Sequence, residues 1–338
     1  MPTQAAVPSF MTGGGLRVDY LITHDGRAAI RQPGGNSLYS AVGAALWGER
    51  VGVWARKGQN YQDVWLAQLA QAGIDMSGLV TVPEEMDHRT FFAYTPDGRR
   101  DDRNPAAHFS RIAQPLPPDL ADYVDSTPGQ DDPEAYERLG LRPEEWPEMY
   151  TGVTAVHLAG HGLRSHLFIP PLLRKKGVKQ LTLDPGERYM IPPLSDFVRQ
   201  IVRQVDAFLP SEMEIRSLFG EGADYLAAAQ MLCSWGAKRV VVKMGAKGVL
   251  VVEANGRSTH LPPYHSPGDP RVVDVTGAGD AFCGGFMVGL ARSGDAVSAA
   301  QMGLVSASII VEGYGVLYGL TRQPGEIAQR LAAVQSRV

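Results

Sequence analysis

The sequence predicts an α/β fold, a largely parallel sheet covered by helices on both sides. Three observations carry this. From about residue 155 onward, short apolar runs alternate with amphipathic stretches of helical period. The runs, among them AVHLAG, KQLTLDPG and RVVVKMG, are too apolar to be solvated on either face, as the strands of a parallel sheet are. At 338 residues, 44% hydrophobic and 20% charged, the chain has an ordinary globular composition and enough length to bury a large core.

Taken in order, AVPSFMTGGG reads as a strand running into a glycine turn. VDYLITHDGRAAIRQP and RTFFAYTPDGRRDD carry β-prone residues around Asp-Gly turns, the local signature of hairpins, at about 17–33 and 88–110. Between them, NSLYSAVGAALWG places Leu38, Val42, Leu46 and Trp47 near helical spacing and stops at Gly48. VGVWARKG follows as a strand and YQDVWLAQLAQAGI as a second amphipathic helix. Residues from about 112 to 150, rich in Pro, Asp and Glu, predict an acidic, partly helical surface insertion. Beyond it, strands AVHLAG, KQLTLDPG, DAFLP, RVVVKMG and GVLVVEA are interspersed with helices FIPPLLRKKG, LSDFVRQIVRQ, SEMEIRSLFG and ADYLAAAQMLCSWG, and two apolar Gly/Ala-rich helices come after residue 280. No repeat or low-complexity tract divides the chain, which reads as a single domain over 1–338.

Composition also removes function classes. A net charge of −4 with no long Lys/Arg run leaves nonspecific nucleic-acid binding without its main driving force. Cys233 and Cys283, far apart in sequence, read as free, mostly buried thiols suited to a reducing compartment. The stretch MPTQAAVPSFMTGGG lacks the basic and apolar regions of a leader, and no apolar run approaches the roughly 18 residues of a membrane span, so a cytoplasmic protein without a membrane partner is expected.

The chemistry concentrates in DVTGAGDAF, residues 274–282. It precedes a run with Phe282, Phe286, Val288 and Leu290 at the spacing of a buried helix, so the N–H groups of Gly277, Ala278 and Gly279 lie at a helix N-terminus, where unpaired donors and the helix dipole favour an anion. Asp280 is out of place beside an anion unless it is needed as a general base for a hydroxyl attacking a phosphate; the plainer alternative is a helix N-cap. No G-x-x-x-x-G-K-[ST] loop occurs, and MTGGGLRVDY lacks the last glycine of a dinucleotide fingerprint. His157 and His161 straddle a glycine without a third ligand, which does not make a zinc site.

DVTGAGDAF together with QPGGNSLYSAVGAALWG resembles the signatures of the ribokinase-like carbohydrate kinases, the PfkB family, and the matched segments run from Gly13 to about Gly319. The resemblance implies a three-layer α/β/α fold with a small β lid, and ATP-dependent phosphorylation of a sugar-type hydroxyl with Asp280 as base. The two hairpins would form the lid, closing Tyr20, Ile22, Phe91, Phe92, Tyr94 and Arg99 over the acceptor. Asp19, Gly34, Gly35 and Asn36 fall at the family's acceptor site, although Asp19 also reads as a turn residue. KMGAKG places Lys243, Gly245 and Gly248 near the nucleotide, Lys243 reading equally as a solvated strand end. LPSEMEIRSLFG resembles the Asn-x-x-Glu element that organises Mg²⁺ through water, with Glu214 as the acid and Ser211 in place of Asn. Asp274, Thr276, Gly313, Gly315 and Gly319 match a monovalent-cation site, which suits K⁺. Tyr39 stands where many sugar kinases carry an Asn. The acceptor classes implied are a sugar or sugar acid first and a nucleoside second. The rival function is a catalytically weak nucleotide-binding regulator, suggested by Ser211 and the insertion. Exposed hairpin edges invite a homodimer through lid strands.

Overall fold

The structure is a computed structural model that describes residues 7–95 and 100–337. The first half contains β1 (Phe10–Gly13), β2 (Arg17–Ile22), β3 (Ala28–Gly34), α1 (Asn36–Ala45), β4 (Val51–Lys57), α2 (Asp63–Gln71), β5 (Ile74–Asp75), β6 (Leu79–Thr81), β7 (Arg89–Tyr94), β8 (Arg100–Asp101) and α3 (Pro105–Arg111). The second half continues with β9 (Ala155–Leu158), α4 (Leu163–Lys175), β10 (Gln180–Leu183), α5 (Ser195–Val202), β11 (Ala207–Phe208), α6 (Glu212–Phe219), α7 (Tyr225–Ser234), β12 (Arg239–Lys243), β13 (Val249–Glu253), β14 (Ser258–Leu261), α8 (Ala278–Ser293), α9 (Ala296–Ile310) and α10 (Pro324–Gln335). The short β5, β6 and β14, the helix α3 at the end of the predicted second hairpin and the terminal α10 are additions to the sequence-based reading.

The main sheet runs β14-β13-β12-β11-β10-β9-β1-β4-β5, with β6 also paired to β4. It is parallel from β12 to β5, and β13 and β14 close one edge antiparallel. Strand alternation sorts its side chains into two cores. Phe10, Val51 and Val53 face α1 and α8, whereas Met11, Trp54 and Val156 face the layer of α4, α5 and α7. Along β12, Val241 packs toward α8 and α9 while Val240 and Val242 pack toward α7. These are the three layers expected. Among the described residues no helix is long and apolar enough to cross a membrane.

A second sheet, β3-β2-β7-β8, is built from the two predicted hairpins. Parallel pairing sets Asp19 beside Thr90, Tyr20 beside Phe91 and Leu21 beside Phe92, so alternate residues face opposite ways. Asp19, Thr90, Phe92 and Tyr94 line a large cavity under this sheet. Tyr20, Ile22 and Phe91 turn to the other face, where they pack with Phe109, Leu120 and Tyr123. The expectation that these three close over the acceptor is therefore corrected by the strand period. Arg99 lies outside the described residues.

The 112–150 segment also departs from its reading. It holds three 3₁₀ turns and no α-helix, and it is not confined to the surface. Its first apolar residues, Leu120 and Tyr123, complete the outer cluster of the lid sheet. Its last, Leu141, Trp146 and Tyr150, are buried against Met11 and Trp54 of the main sheet. Trp146 meets Trp54 edge-on at 5.5 Å between ring centroids, and the Tyr150 hydroxyl donates to the Asp75 carbonyl at 2.8 Å. Scattered aromatics among many acids hid an element that straps the lid to the core.

Close packing of α1 against α8 fixes the helix that carries Asp280. A Cβ on Gly43 would lie 2.2 Å from the Ala281 carbonyl oxygen, and one on Gly284 1.9 Å from that of Ser40. Both obstacles are backbone, so neither can swing away. Gly43→Ala should push the helices apart and cost at least about 1–3 kcal/mol, read as a lower urea midpoint with an unchanged slope. An unchanged midpoint would show that the two backbones are not in this contact.

Candidate active site

The functional side chains stand where the parallel strands end. Gly14 and Gly15 follow β1, Gly160 follows β9, Asp184 follows β10, Ser211 follows β11 and Lys243 closes β12. In an open parallel sheet this carboxyl edge is where ligands bind. Between it and the lid lies a cavity of about 1450 Å³.

At its floor, α8 begins one residue after Gly277, whose φ of 73° is left-handed and whose Cα lies so close to the Tyr39 ring that a Cβ would sit 2.3 Å from it. Of the three N–H groups assigned to the anion hole, that of Ala278 is already bonded to the Val275 carbonyl at 3.2 Å. That expectation is corrected: the turn into α8 consumes this donor. Gly277 and Gly279 have no such partner among the described residues, and neither does the N–H of Asp280. The site beside Gly279 is reinforced by the Lys243 ammonium, which would come within 3.6 Å of a Cβ there.

Lys243 is not a solvated strand end. It is half-buried and forms an ion pair with Asp184, and Cys283 Sγ lies 3.6 Å both from its Nζ and from Asp184 Oδ2. Burial works against its charge, but Asp184, Cys283 and Glu214 outweigh it, so the ammonium is held above its ordinary pKa. Burial raises the carboxyls around it: Asp280 to about 6, with Lys243 opposing, and Glu214 to about 7, with Asp184 adding repulsion. Asp184 is itself raised by burial to about 6 against the pull of Lys243, and its Oδ1 is buried with no hydrogen-bond partner. Asp184 was missed in the sequence. DPG after an apolar run looks like a turn, and its role comes from its place at a strand end.

Ser211 and Glu214 form a reciprocal cap on α6. Glu214 N–H donates to Ser211 Oγ at 3.3 Å, and Ser211 N–H to Glu214 Oε2 at 2.5 Å. Both residues line the cavity, as do Gly245 and Gly248. Gly248 has a φ of 86°, and a Cβ there would collide with the Leu261 carbonyl at 2.0 Å.

At the other end, Asp19 is buried, and the desolvation, with Asp274 adding repulsion, raises its carboxyl to about 8. Gly34 is what admits it: a Cβ at that position would overlap Asp19 Oδ2 at 1.8 Å. Gly35 likewise lets the chain cross Gly15, its Cβ position being 2.4 Å from the Gly15 carbonyl. Asn36 accepts from Gly15 N–H at 2.8 Å and donates to the Gly160 carbonyl, tying the ends of three segments together. The Tyr39 hydroxyl points at Asp19 Oδ2 from 3.4 Å. Thr90 Oγ1, also facing the cavity, is buried without a partner.

The lid is shut on the anion loop. Tyr94 Oη and Thr276 Oγ1 are 3.1 Å apart, and Arg100, stacked over Phe92, donates to Glu187 at 2.8 Å. Behind Thr276, Asp274 accepts from Thr276 N–H at 3.0 Å, while the N–H groups of Val273 and Asp274 reach the Val311 carbonyl at 2.7 and 3.1 Å. Gly313 lies under the Tyr318 ring, Gly315 beside Gln32 of the lid, and Gly319 against Ile310 and Val42.

Residues 175–322 match the profile of the pfkB family carbohydrate kinases. The cytidine kinase of Thermococcus kodakarensis is 30% identical over 309 residues, 89% of this chain and 95% of that one. Among solved structures, a nucleoside kinase from Burkholderia thailandensis superposes with a TM-score of 0.70 at 13% identity, over 97% of this chain and 96% of that one. The ribokinase of Arabidopsis thaliana gives 0.68 at 16% identity, over 96% and 99%. At these identities the two structures establish the fold.

The raised carboxyls set the sign of the pH dependence. Asp19 binds its proton more tightly folded than unfolded, so its cost to stability is absent near pH 4, grows as pH rises and is complete above about 8. Asp19→Asn removes that cost. The gain in Tm over the parent should be larger near pH 9 than near pH 5; an equal gain at both would show that Asp19 is not held protonated by burial.

Proposed function

The chain belongs to the pfkB family of carbohydrate kinases, and from that premise we propose how it transfers a phosphoryl group from ATP to a hydroxyl of a small acceptor. One observation carries the reading: Asp280, Lys243 and the free N–H groups of Gly277 and Gly279 share one cavity with Asp19, beneath a lid latched by Tyr94. Asp19 binds an acceptor hydroxyl, and Asp280, ionised at neutral pH and close to its pKa of about 6, takes the proton of the attacking one. The N–H groups and the Lys243 ammonium face the charge that collects on the transferring phosphoryl oxygens. Gly245 and Gly248 turn the chain beside the nucleotide, and the apolar slot of Val272, Ala307 and Val311 suits its base. The carboxyls of Asp184 and Glu214, both lining the cavity and both raised by burial, fit a divalent cation held through water; Mg²⁺, when bound, neutralises phosphate charge. Ser211 acts by capping α6 and fixing Glu214, so its hydroxyl does not signal a lost activity.

A nucleoside is the acceptor class we assign. Tyr39, Phe92 and Tyr94 give the cavity three aromatic walls around Asp19, and a relative matched over 89% of this chain is a cytidine kinase. A sugar or sugar acid is the second class. A coupled ADP-release screen over nucleosides, pentoses, hexoses and sugar acids decides, with the nucleosides expected to give the highest kcat/KM. ATP binding without acceptor-dependent ADP release would instead mark a regulator.

Asp280→Asn keeps the side-chain shape, so the protein should fold with a Tm equal to or above the parent's, because a carboxylate ionised against burial has gone, and should still bind ATP, while kcat falls by at least about 10². An N-cap would tolerate Asn with turnover intact. Near-normal kcat on a folded sample would therefore remove Asp280 as the base.

Asp274 is buried with no ion pair among the described residues, and its carboxyl is raised by that burial. A K⁺ held by Asp274, Thr276 and carbonyls of the 311–319 segment would balance it and stiffen the anion loop. Activity should rise as K⁺ replaces a bulky organic cation at constant ionic strength. A flat titration excludes the site.

A further inference from the structure

Gln130 lies in the 112–150 strap, is buried, and lines the cavity. Its position is held by a chain of hydrogen bonds whose direction can be read off donor by donor. Leu141 N–H donates to His161 Nε2 at 3.0 Å, so this nitrogen carries no proton. Burial lowers the pKa of His161, keeping the ring neutral, and its single proton is therefore on Nδ1, which faces Glu137 Oε1 at 3.1 Å. Gly162 N–H donates to the same oxygen at 3.0 Å. Glu137 Oε2 is left as an acceptor, and the Gln130 amide fills it with Nε2 at 2.8 Å. Leu163 N–H holds the Gln130 carbonyl at 2.8 Å.

This fixes the amide the other way round as well. With Nε2 committed to Glu137, Gln130 Oε1 has no partner among the described residues, yet it is not among the atoms sealed from solvent. It is a hydrogen-bond acceptor presented to the cavity. The 160–162 turn that holds this network also receives Asn36, so the oxygen belongs to the acceptor end.

We propose that Gln130 is a specificity-determining residue: its Oε1 accepts a hydrogen bond from the exocyclic amino group of a nucleobase and selects cytidine over uridine, whose keto oxygen would face it acceptor to acceptor. The proposal rests on the nucleoside reading above. Glu137 and His161 are positioning residues that act through Gln130.

The test is kcat/KM for cytidine and uridine, with sugars in parallel, for the parent and two variants of verified Tm. The parent should favour cytidine by at least about 10-fold, the loss expected when a buried polar group meets the wrong partner. Gln130→Leu should collapse that ratio mainly through the KM for cytidine. Glu137→Gln is the sharper arm. Its carbonyl would keep the His161 and Gly162 donors, so its NH₂ would face Gln130, turn that amide over and present a donor to the cavity. The ratio should then shift toward uridine, which a merely structural role would not produce. A parent that phosphorylates nucleosides without amino preference, or a preference untouched by both variants, overturns the role of Gln130 and leaves the nucleoside reading standing. A parent active on sugars alone overturns both.

Discussion

The site is organised around one half-buried ammonium. Lys243 closes β12, the last parallel strand before the antiparallel edge, with Asp184 in ion contact and Glu214 and Asp280 near enough to raise its pKa. Without it, three carboxyls would stand together in a largely buried cleft, and the least costly response would be to take up protons. A protonated Asp280 is no base. With Lys243 present, Asp280 is raised only to about 6, which leaves it ionised at neutral pH while keeping it a useful proton acceptor. The same ammonium adjoins Gly279, so in the mechanism proposed one charge would both keep Asp280 ionised and face the transferring phosphoryl group. Even so the pocket remains short of positive charge, and its like-charged acids weaken the ligand-free fold; cations brought with the nucleotide would relieve that strain.

The second constraint is distance between backbones. Asp280 is useful where it is because α8 is pressed on α1 through Gly43 and Gly284, and because Gly277 lets the chain turn against the Tyr39 ring. At the acceptor end, Gly34 makes room for the Asp19 carboxylate itself. Glycines here are spaces reserved for particular neighbours, which is why the signature that carries Asp280 is so rich in them.

Much of this was legible in the sequence, and the limits have physical causes. Strand and helix alternation, the DVTGAGDAF helix start and both hairpins depend on local period and turn chemistry, and they appear where expected. The Ser211-x-x-Glu214 pair is also local, although it reads as a capping box more directly than as a metal element. Asp184 was not legible, because its partner is 59 residues away and meets it only when two strands align at one edge. Tyr20 and Phe91 were assigned to the wrong face because a hairpin reading finds the strands but not which side holds the cavity. The strap failed for a related reason. Most of its acids are solvated as composition suggests, Glu137 being buried, but Trp146 and Tyr150, the residues that place it, are too irregularly spaced to show any period.

That strap changes how the lid should be understood. A two-hairpin lid alone would hang from β1 and α1 and move about them. Here Leu120 and Tyr123 pack on its outer face, Arg89 reaches Asp122, and the same segment runs on to bury Trp146 against Trp54. Between those anchors the chain is pinned from the other side, where Arg188 pairs with Asp125 and donates to Thr127 at 3.0 Å. Arg188 follows the strand that ends at Asp184, so the lid, the acceptor wall and the Lys243 partner share a single mechanical connection. An acceptor that fills the wall therefore bears on the loop that carries the charge pair, and a ligand can influence the chemistry only through such differential contacts. The insertion that composition would set aside as a surface appendage ties the outer face of the lid sheet and the turn after Asp184 to the main core, and in the proposed mechanism it is where acceptor fit and catalytic geometry would meet.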